Sequence, residues 1–150
     1  MKLYLVQHGN CVSKEVDPDR PLSDQGRDDV ERVAGFIKPL NIGAKVWHSG
    51  KTRAMQTAEI LADGIRVDGQ IEAVEGLSPN DDAADVKCRI ESLGKDIMLV
   101  GHLPFMNKLA SLLLTDDENK EAVKFVQGSV VCLSDENGWG VEWMEVPGIV

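Results

Sequence analysis

The sequence predicts an α/β fold: a mainly parallel central sheet with helices on both faces and an antiparallel C-terminal hairpin at its edge. Three observations carry this. Short apolar runs such as Leu3-Tyr4-Leu5-Val6 and Ile97-Met98-Leu99-Val100 alternate with helix-period segments through the first two-thirds of the chain. Strands that are apolar on both faces need cover on both faces, which crossover helices supply. Near the C-terminus the period changes to paired strands around Asn137-Gly138, a hairpin turn signal.

Taken in order, residues 2–7 read as a buried strand. Residues 10–22 form a polar loop closed by Arg20-Pro21-Leu22, and Ser23 has the hydroxyl to cap the following helix. In that helix Val30, Val33, Ala34 and Ile37 follow the i, i+3, i+4, i+7 pattern, and Pro39 ends it. Residues 45–48 are a second short strand. Ser49-Gly50 then opens a helix to about Ala62, with Met55, Ala58, Leu61 and Ala62 as its inner stripe. Residues 66–74 hold an extended segment. A helix over residues 83–93 places Val86, Ile90 and Leu93 on one face. Residues 97–100 are a third buried strand, followed by a helix from about Phe105 to Leu114 and a short helix near residues 118–126. Residues 129–133 and 141–146 form the final hairpin.

The chain of 150 residues is read as one domain, residues 1–150, long enough to bury roughly 68–70% of its unfolded surface. No apolar run approaches the ~20 residues that span a bilayer, and the run before Gln7 is too short for a signal peptide. Cys11, Cys88 and Cys132 are widely spaced, odd in number and form no CxxC pair, which reads as reduced thiols in a cytoplasmic protein without a metal. Cys11 reads as small, half-buried filler near His8. The net charge of −9 argues against nucleic acid and anionic membranes as partners. Acidic clusters at Asp28-Asp29-Val30-Glu31 and Asp116-Asp117-Glu118 read as solvated helix surfaces, while Asp81-Asp82 is kept as a candidate for chemistry.

Open α/β sheets place ligands beyond the carboxyl ends of their strands. His8, His48 with Ser49, and His102 all stand at such ends, so topology alone gathers them on one rim. A neutral imidazole can attack phosphorus if cationic donors surround the non-bridging oxygens. Gly9 after His8 leaves the backbone free to approach a phosphate, and a nearby arginine would hold the ring unprotonated. Arg53 lies in the first turn of the helix after Ser49-Gly50, where free N–H groups favour anions and a guanidinium can bind two phosphate oxygens. His48 reads as packing against or lining the rim rather than as a catalytic group.

Three segments resemble the histidine phosphatase superfamily, specifically its SixA-type phosphohistidine phosphatase branch. They are Gln7-His8-Gly9, the S-x-x-x-R-A-x-Q-T-A run at Ser49, Arg53, Ala54, Gln56, Thr57 and Ala58, and Gly101-His102-Leu103-Pro104. Arg20-Pro21-Leu22-Ser23 followed by Gly26 is similar to that branch's R-P-L-T-x-x-G segment. The resemblance implies a phosphoglycerate mutase-like fold, His8 as nucleophile, His102 and Arg53 as further catalytic residues, and Gln7, Arg20, Arg53 and Ser49 around the phosphate. It implies no cofactor. The implied partner is a phosphohistidine-bearing signalling protein or a small phosphorylated substrate.

One letter departs from the family pattern, which opens Arg-His-Gly where this chain has Gln7. Glutamine donates a hydrogen bond but brings no charge, and losing one preorganised donor costs roughly 2.7–4 kcal/mol. Arg20, Arg53 and Lys51 are available to offset part of that loss. A proton donor is less evident. Glu75 and Asp81 are the candidates, with Glu72 and Asp82 nearby, around Leu77-Ser78-Pro79-Asn80. Imidazole, with a pKa near 6.5, can be protonated by solvent and leave as a neutral ring, so a weak acid inventory favours phosphohistidine as substrate. The alternatives are a phosphatase for a small phosphate ester, with one of those acids as donor, and a catalytically weakened phosphate-binding module.

Overall fold

The alternation of apolar side chains within each strand decides the layering. The computed structural model describes residues 1–149. Its elements are β1 (Lys2–Gln7), α1 (Asp24–Ile37) with a 3-10 turn (Lys38–Leu40), β2 (Gly43–His48), α2 (Thr52–Ala62), β3 (Arg66–Val67), β4 (Glu72–Ala73), α3 (Ala83–Leu93), β5 (Ile97–Gly101), α4 (Phe105–Thr115), β6 (Val130–Ser134) and β7 (Gly140–Glu145). The sheet runs β3-β2-β5-β1-β6-β7, and β4 also pairs with β2. Strands β1, β2, β3, β4 and β5 pair in parallel, while β6 and β7 are antiparallel to their neighbours at one edge. That is the architecture expected from the sequence.

Because successive strand side chains point to opposite faces, each apolar run feeds two cores. Leu3 and Leu5 of β1, with Ile97 and Leu99 of β5, pack with Val86 and Ile90 of α3 and Phe105 and Leu109 of α4. Tyr4, Val6, Met98 and Val100 pack on the other face with Val30, Val33 and Ile37 of α1 and Ala54, Ala58 and Leu61 of α2. Each fully buried aliphatic side chain stabilises the fold by about 1.5–3 kcal/mol.

Ser23 caps α1 by accepting from the Gly26 amide. Pro39 sits in the 3-10 turn that ends that helix. The two short strands β3 and β4 are what the extended segment over residues 66–74 becomes, each pairing with a different part of β2.

Three details differ from expectation. First, α2 starts at Thr52 with Lys51 as its N-cap, and its buried residues are Ala54, Thr57, Ala58 and Leu61. Met55 and Ala62 are only half-buried, because small side chains face inward where α2 packs against α1. Second, Leu93 lies at the end of α3 with 36% of its surface exposed, so only Ala83, Val86 and Ile90 of that helix are buried.

Third, no helix forms near residues 118–126. Helix α4 ends at Asp116, whose backbone is left-handed with φ +60°. Beyond it, Ser111 Oγ donates to the Lys120 carbonyl and accepts from the Ala122 amide, and Asp117 Oδ1 accepts from the Asn119 amide. Side chains thus satisfy the backbone groups that a helix would have used.

Candidate active site

Strand register brings the site together. Gln7 and Gly101 are partners across β1 and β5, so the next residues, His8 and His102, emerge side by side. The His8 amide continues the ladder by donating to the Gly101 carbonyl at 3.0 Å. The two imidazoles lie 5.0 Å apart between centroids, tilted by 53°. On the other side of β5, His48 is opposite Val100, which brings Ser49 to His102. Ser49 Oγ is 2.6 Å from His102 Nε2.

His8 is 7% exposed, and its Nδ1 is 2.7 Å from the Gly9 carbonyl. A carbonyl can only accept, so Nδ1 carries the proton and Nε2 keeps its lone pair. Burial pushes the His8 pKa down; the Gly9 carbonyl opposes this, and the charges of Arg53 and Arg20 add to the lowering. The ring is therefore neutral near pH 7.

The loop that presents His8 is clasped from two sides. Thr57 Oγ1 accepts from the Gly9 amide at 3.0 Å and donates to the Arg53 carbonyl at 2.8 Å. Gln56 Oε1 accepts from the Leu22 amide at 2.7 Å. Glycine is required at two places. A Cβ on Gly9 would lie 2.8 Å from Val30 Cγ2, and one on Gly26 would lie 2.0 Å from the Asn10 carbonyl oxygen. Ser23 Oγ also donates to Asn10 Oδ1, so the Arg20–Gly26 stretch is packed onto the His8 loop.

Cations gather around the two imidazoles. Arg53 is half-buried, and its Nε is buried without a partner. Burial and then Arg20 lower the Arg53 pKa. Arg20 has a left-handed backbone, φ +49°, and its guanidinium donates to the Val12 carbonyl and to Cys11 Sγ, each at 3.3 Å. Among the described residues, no carboxylate lies within 4.0 Å of Arg20, Lys51 or Arg53. His102 is 2% exposed, and burial, helped by His8, Arg53, Lys51 and Arg20, pushes its pKa to about 3. Among the described residues its Nδ1 has no partner, nor does the buried Oε1 of Gln7. Such an arrangement holds two neutral imidazoles in a cationic field.

The carboxylates stand further out. Glu75 and Asp81 line a cavity of about 600 Å³ together with Ser49, Ala73, Val74, Gly76 and Ser78. Asp81 Oδ2 accepts from the Ser78 amide at 2.8 Å, while the exposed Glu75 has no side-chain hydrogen bond among the described residues. Asp82 is the N-cap of α3, accepting from Ala84, and Glu72 is exposed on β4. His48 is 6% exposed, and its Nδ1 accepts from the Gly50 amide, bracing the β2–α2 turn.

Two contacts have no clear signal in the sequence. Gly128 donates to the carbonyls of Gln7 and His8, closing the site from the segment before β6. Cys11 partners Arg20 rather than merely filling space. Among the described residues, no group of three or more His, Cys, Asp or Glu is arranged to hold a metal. No helix among them is long and apolar enough to cross a membrane.

A family model for the histidine phosphatase superfamily, branch 1, matches residues 3–78, the part that contains His8, Arg20 and Arg53. Similar solved structures include the protein histidine phosphatase SixA complexed with tungstate, with a TM-score of 0.86 at 22% identity over 99% of both chains. A candidate SixA phosphohistidine phosphatase from Agrobacterium tumefaciens has a TM-score of 0.77 at 19% identity over 97% of both chains. A phosphoserine phosphatase variant from Entamoeba histolytica, in complex with phosphoserine, has a TM-score of 0.72 at 15% identity over 97% of both chains. No curated protein matches the chain by sequence.

Proposed function

The chain belongs to the histidine phosphatase superfamily, and from that premise we propose that it is a cofactor-independent phosphatase that dephosphorylates phosphohistidine on a cytoplasmic signalling protein through a phosphohistidine intermediate at His8. The observation that carries this reading is the hydrogen bond from His8 Nδ1 to the Gly9 carbonyl, which leaves Nε2 free as a nucleophile beside Arg53 and Arg20.

In the first step the Nε2 lone pair of His8 forms a bond to phosphorus while the bond to the substrate nitrogen breaks. Arg53 and Arg20 hold the equatorial oxygens, where charge is spread in the transition state. His102 faces the same oxygens with a neutral ring, donating one N–H. The leaving imidazole, protonated on its distal nitrogen, departs neutral. In the second step water attacks phosphorus, the N–P bond to His8 breaks, inorganic phosphate forms, and the water's proton passes to solvent. Residues 1–150 serve this reaction as one domain.

A second reading is a phosphatase for a small phosphate ester. One observation favours it: the cavity beside Ser49 has Glu75 and Asp81 on its wall, either of which would serve as proton donor to an alkoxide. Incubation with a phosphohistidine-bearing protein, with an aryl phosphate and with an alkyl phosphate, following release of inorganic phosphate, separates the readings. The proposal expects fastest release from phosphohistidine. Preference for the alkyl ester, with loss in Glu75→Gln or Asp81→Asn, would favour the second reading. Phosphate binding without release from any of them would make the protein a binding module.

A further inference from the structure

Helices α1 and α3 begin with Ser23 and Asp82 capping them and Asp24 and Asp85 in their first turns, while α4 begins after Pro104 with neither a side-chain cap nor an acid, and with no cation over residues 104–107 either. Helix α2 begins with Lys51 as N-cap, no side-chain cap and no acid in its first turn, and Arg53 follows two residues later. A helix start already carries about half a positive charge, so two cations there repel both it and each other. The surroundings offer no relief, since no carboxylate among the described residues lies within 4.0 Å of Lys51, Arg53 or Arg20.

A second observation places this cationic start against the imidazoles. Ser49 Oγ is 2.6 Å from His102 Nε2 and 3.4 Å from the Lys51 amide nitrogen, so one hydroxyl separates the Lys51 backbone from the ring. His102 is 98% buried by its 2% exposure, with Nδ1 unpartnered, and Arg53 Nε is unpartnered beside it. The Lys51 side chain is exposed on a flexible four-carbon stem, with no carboxylate among the described residues within 4.0 Å. Its charge is felt at His102, where it adds to the lowering of the pKa.

We propose that Lys51 is a phosphate-binding residue of this site, supplying from the start of α2 the positive charge that the neutral amide of Gln7 does not bring. The assignment rests on the phosphatase reading only in putting an oxyanion between His8 and His102. Lys51 and Gln7 then act as one functional pair, and an arginine at position 7 makes the lysine redundant.

The test is a double-mutant cycle read by calorimetric binding of inorganic phosphate, with turnover measured alongside. Lys51→Met should weaken phosphate binding about tenfold in the otherwise unchanged protein, as expected for one charge-assisted contact at a partly wet site. Lys51→Arg should stay within about twofold. In a Gln7→Arg background, Lys51→Met should cost less than about threefold. Unchanged circular dichroism is expected throughout the Lys51 series, because the residue is exposed. Equal losses in both backgrounds, no loss in the first, or no phosphate binding by the unsubstituted protein would each overturn the assignment. Coupled binding losses without any turnover would instead defeat the phosphatase reading and leave the Lys51 assignment standing.

Discussion

The contrast between His8 and Gln7, adjacent residues with opposite fits to their setting, defines the chemistry at the residue scale. His8 has its tautomer fixed by Gly9 and its charge suppressed by burial and two arginines. Gln7 is 92% buried by its 8% exposure, with a carbonyl oxygen that meets no donor. Replacing Gln7 with arginine should raise phosphatase turnover, by up to roughly 10²–10³ if the guanidinium reaches the phosphate. Steady-state kinetics on the variant checks this, and a fall in turnover would show a pocket adapted to glutamine. The His8 pKa makes a separate prediction. An NMR titration should place its midpoint below 6.5, so turnover should persist as pH drops below 6.5 and fail only near the lowered midpoint. Arg53→Met should move that midpoint upward while leaving it below 6.5, because burial is the larger cause. A midpoint above 6.5 in the unsubstituted protein would contradict the proposed nucleophile. The placement of these residues was legible where a motif fixed the spacing, as at His8, Arg53 and His102. Cys11 was not, since its partner Arg20 lies across a loop whose left-handed turn has no glycine to announce it.

Elements position these residues through a small set of polar clasps. Thr57 on α2 ties the His8 loop to the helix that carries Arg53, using one hydroxyl for both a donor and an acceptor. Thr57→Val keeps the shape but leaves the Gly9 amide unpaired in a fully buried place, which should cost about 1–3 kcal/mol. Urea unfolding measures the loss, and kcat should fall more than KM changes because the loop bearing His8 loosens. An unchanged unfolding midpoint would show that the clasp contributes nothing. The strands and four of the five predicted helices were legible because their apolar periods were clear and several ends were marked, as by Ser23, Pro39 and Asn137-Gly138. The segment over residues 118–126 was read as a helix and is not one, because Ser111 on α4 and Asp117 before the segment take over its backbone hydrogen bonds, which sequence periodicity does not register.

For the whole molecule, the two-sided core holds two histidines neutral against their tendency to protonate, and this links the site to acid stability. His8 and His102 both have pKa values lowered from 6.5, His102 to about 3. In the unfolded chain they take up protons below pH 6.5 that the folded chain refuses, so stability is full above pH 6.5 and is lost as pH falls toward 3. His102→Asn should flatten the urea midpoint against pH over that window, and a slope identical to that of the parent would refute this source. The sheet order was legible only in class. Alternating strands and helices indicate a parallel sheet with its ligand edge, but not that β5 sits between β1 and β2, the arrangement that sets His102 between His8 and Ser49.

The central claim, that His8 is the group that takes the phosphoryl, is tested most directly by trapping. The protein is mixed with a labelled phosphohistidine-bearing protein, quenched without acid and mapped by mass spectrometry. The account predicts phosphate on His8, formed and lost at the rate of turnover, and neither label nor phosphate release in His8→Ala. Undiminished release by His8→Ala, or a phosphoryl group trapped only on another residue, would contradict it.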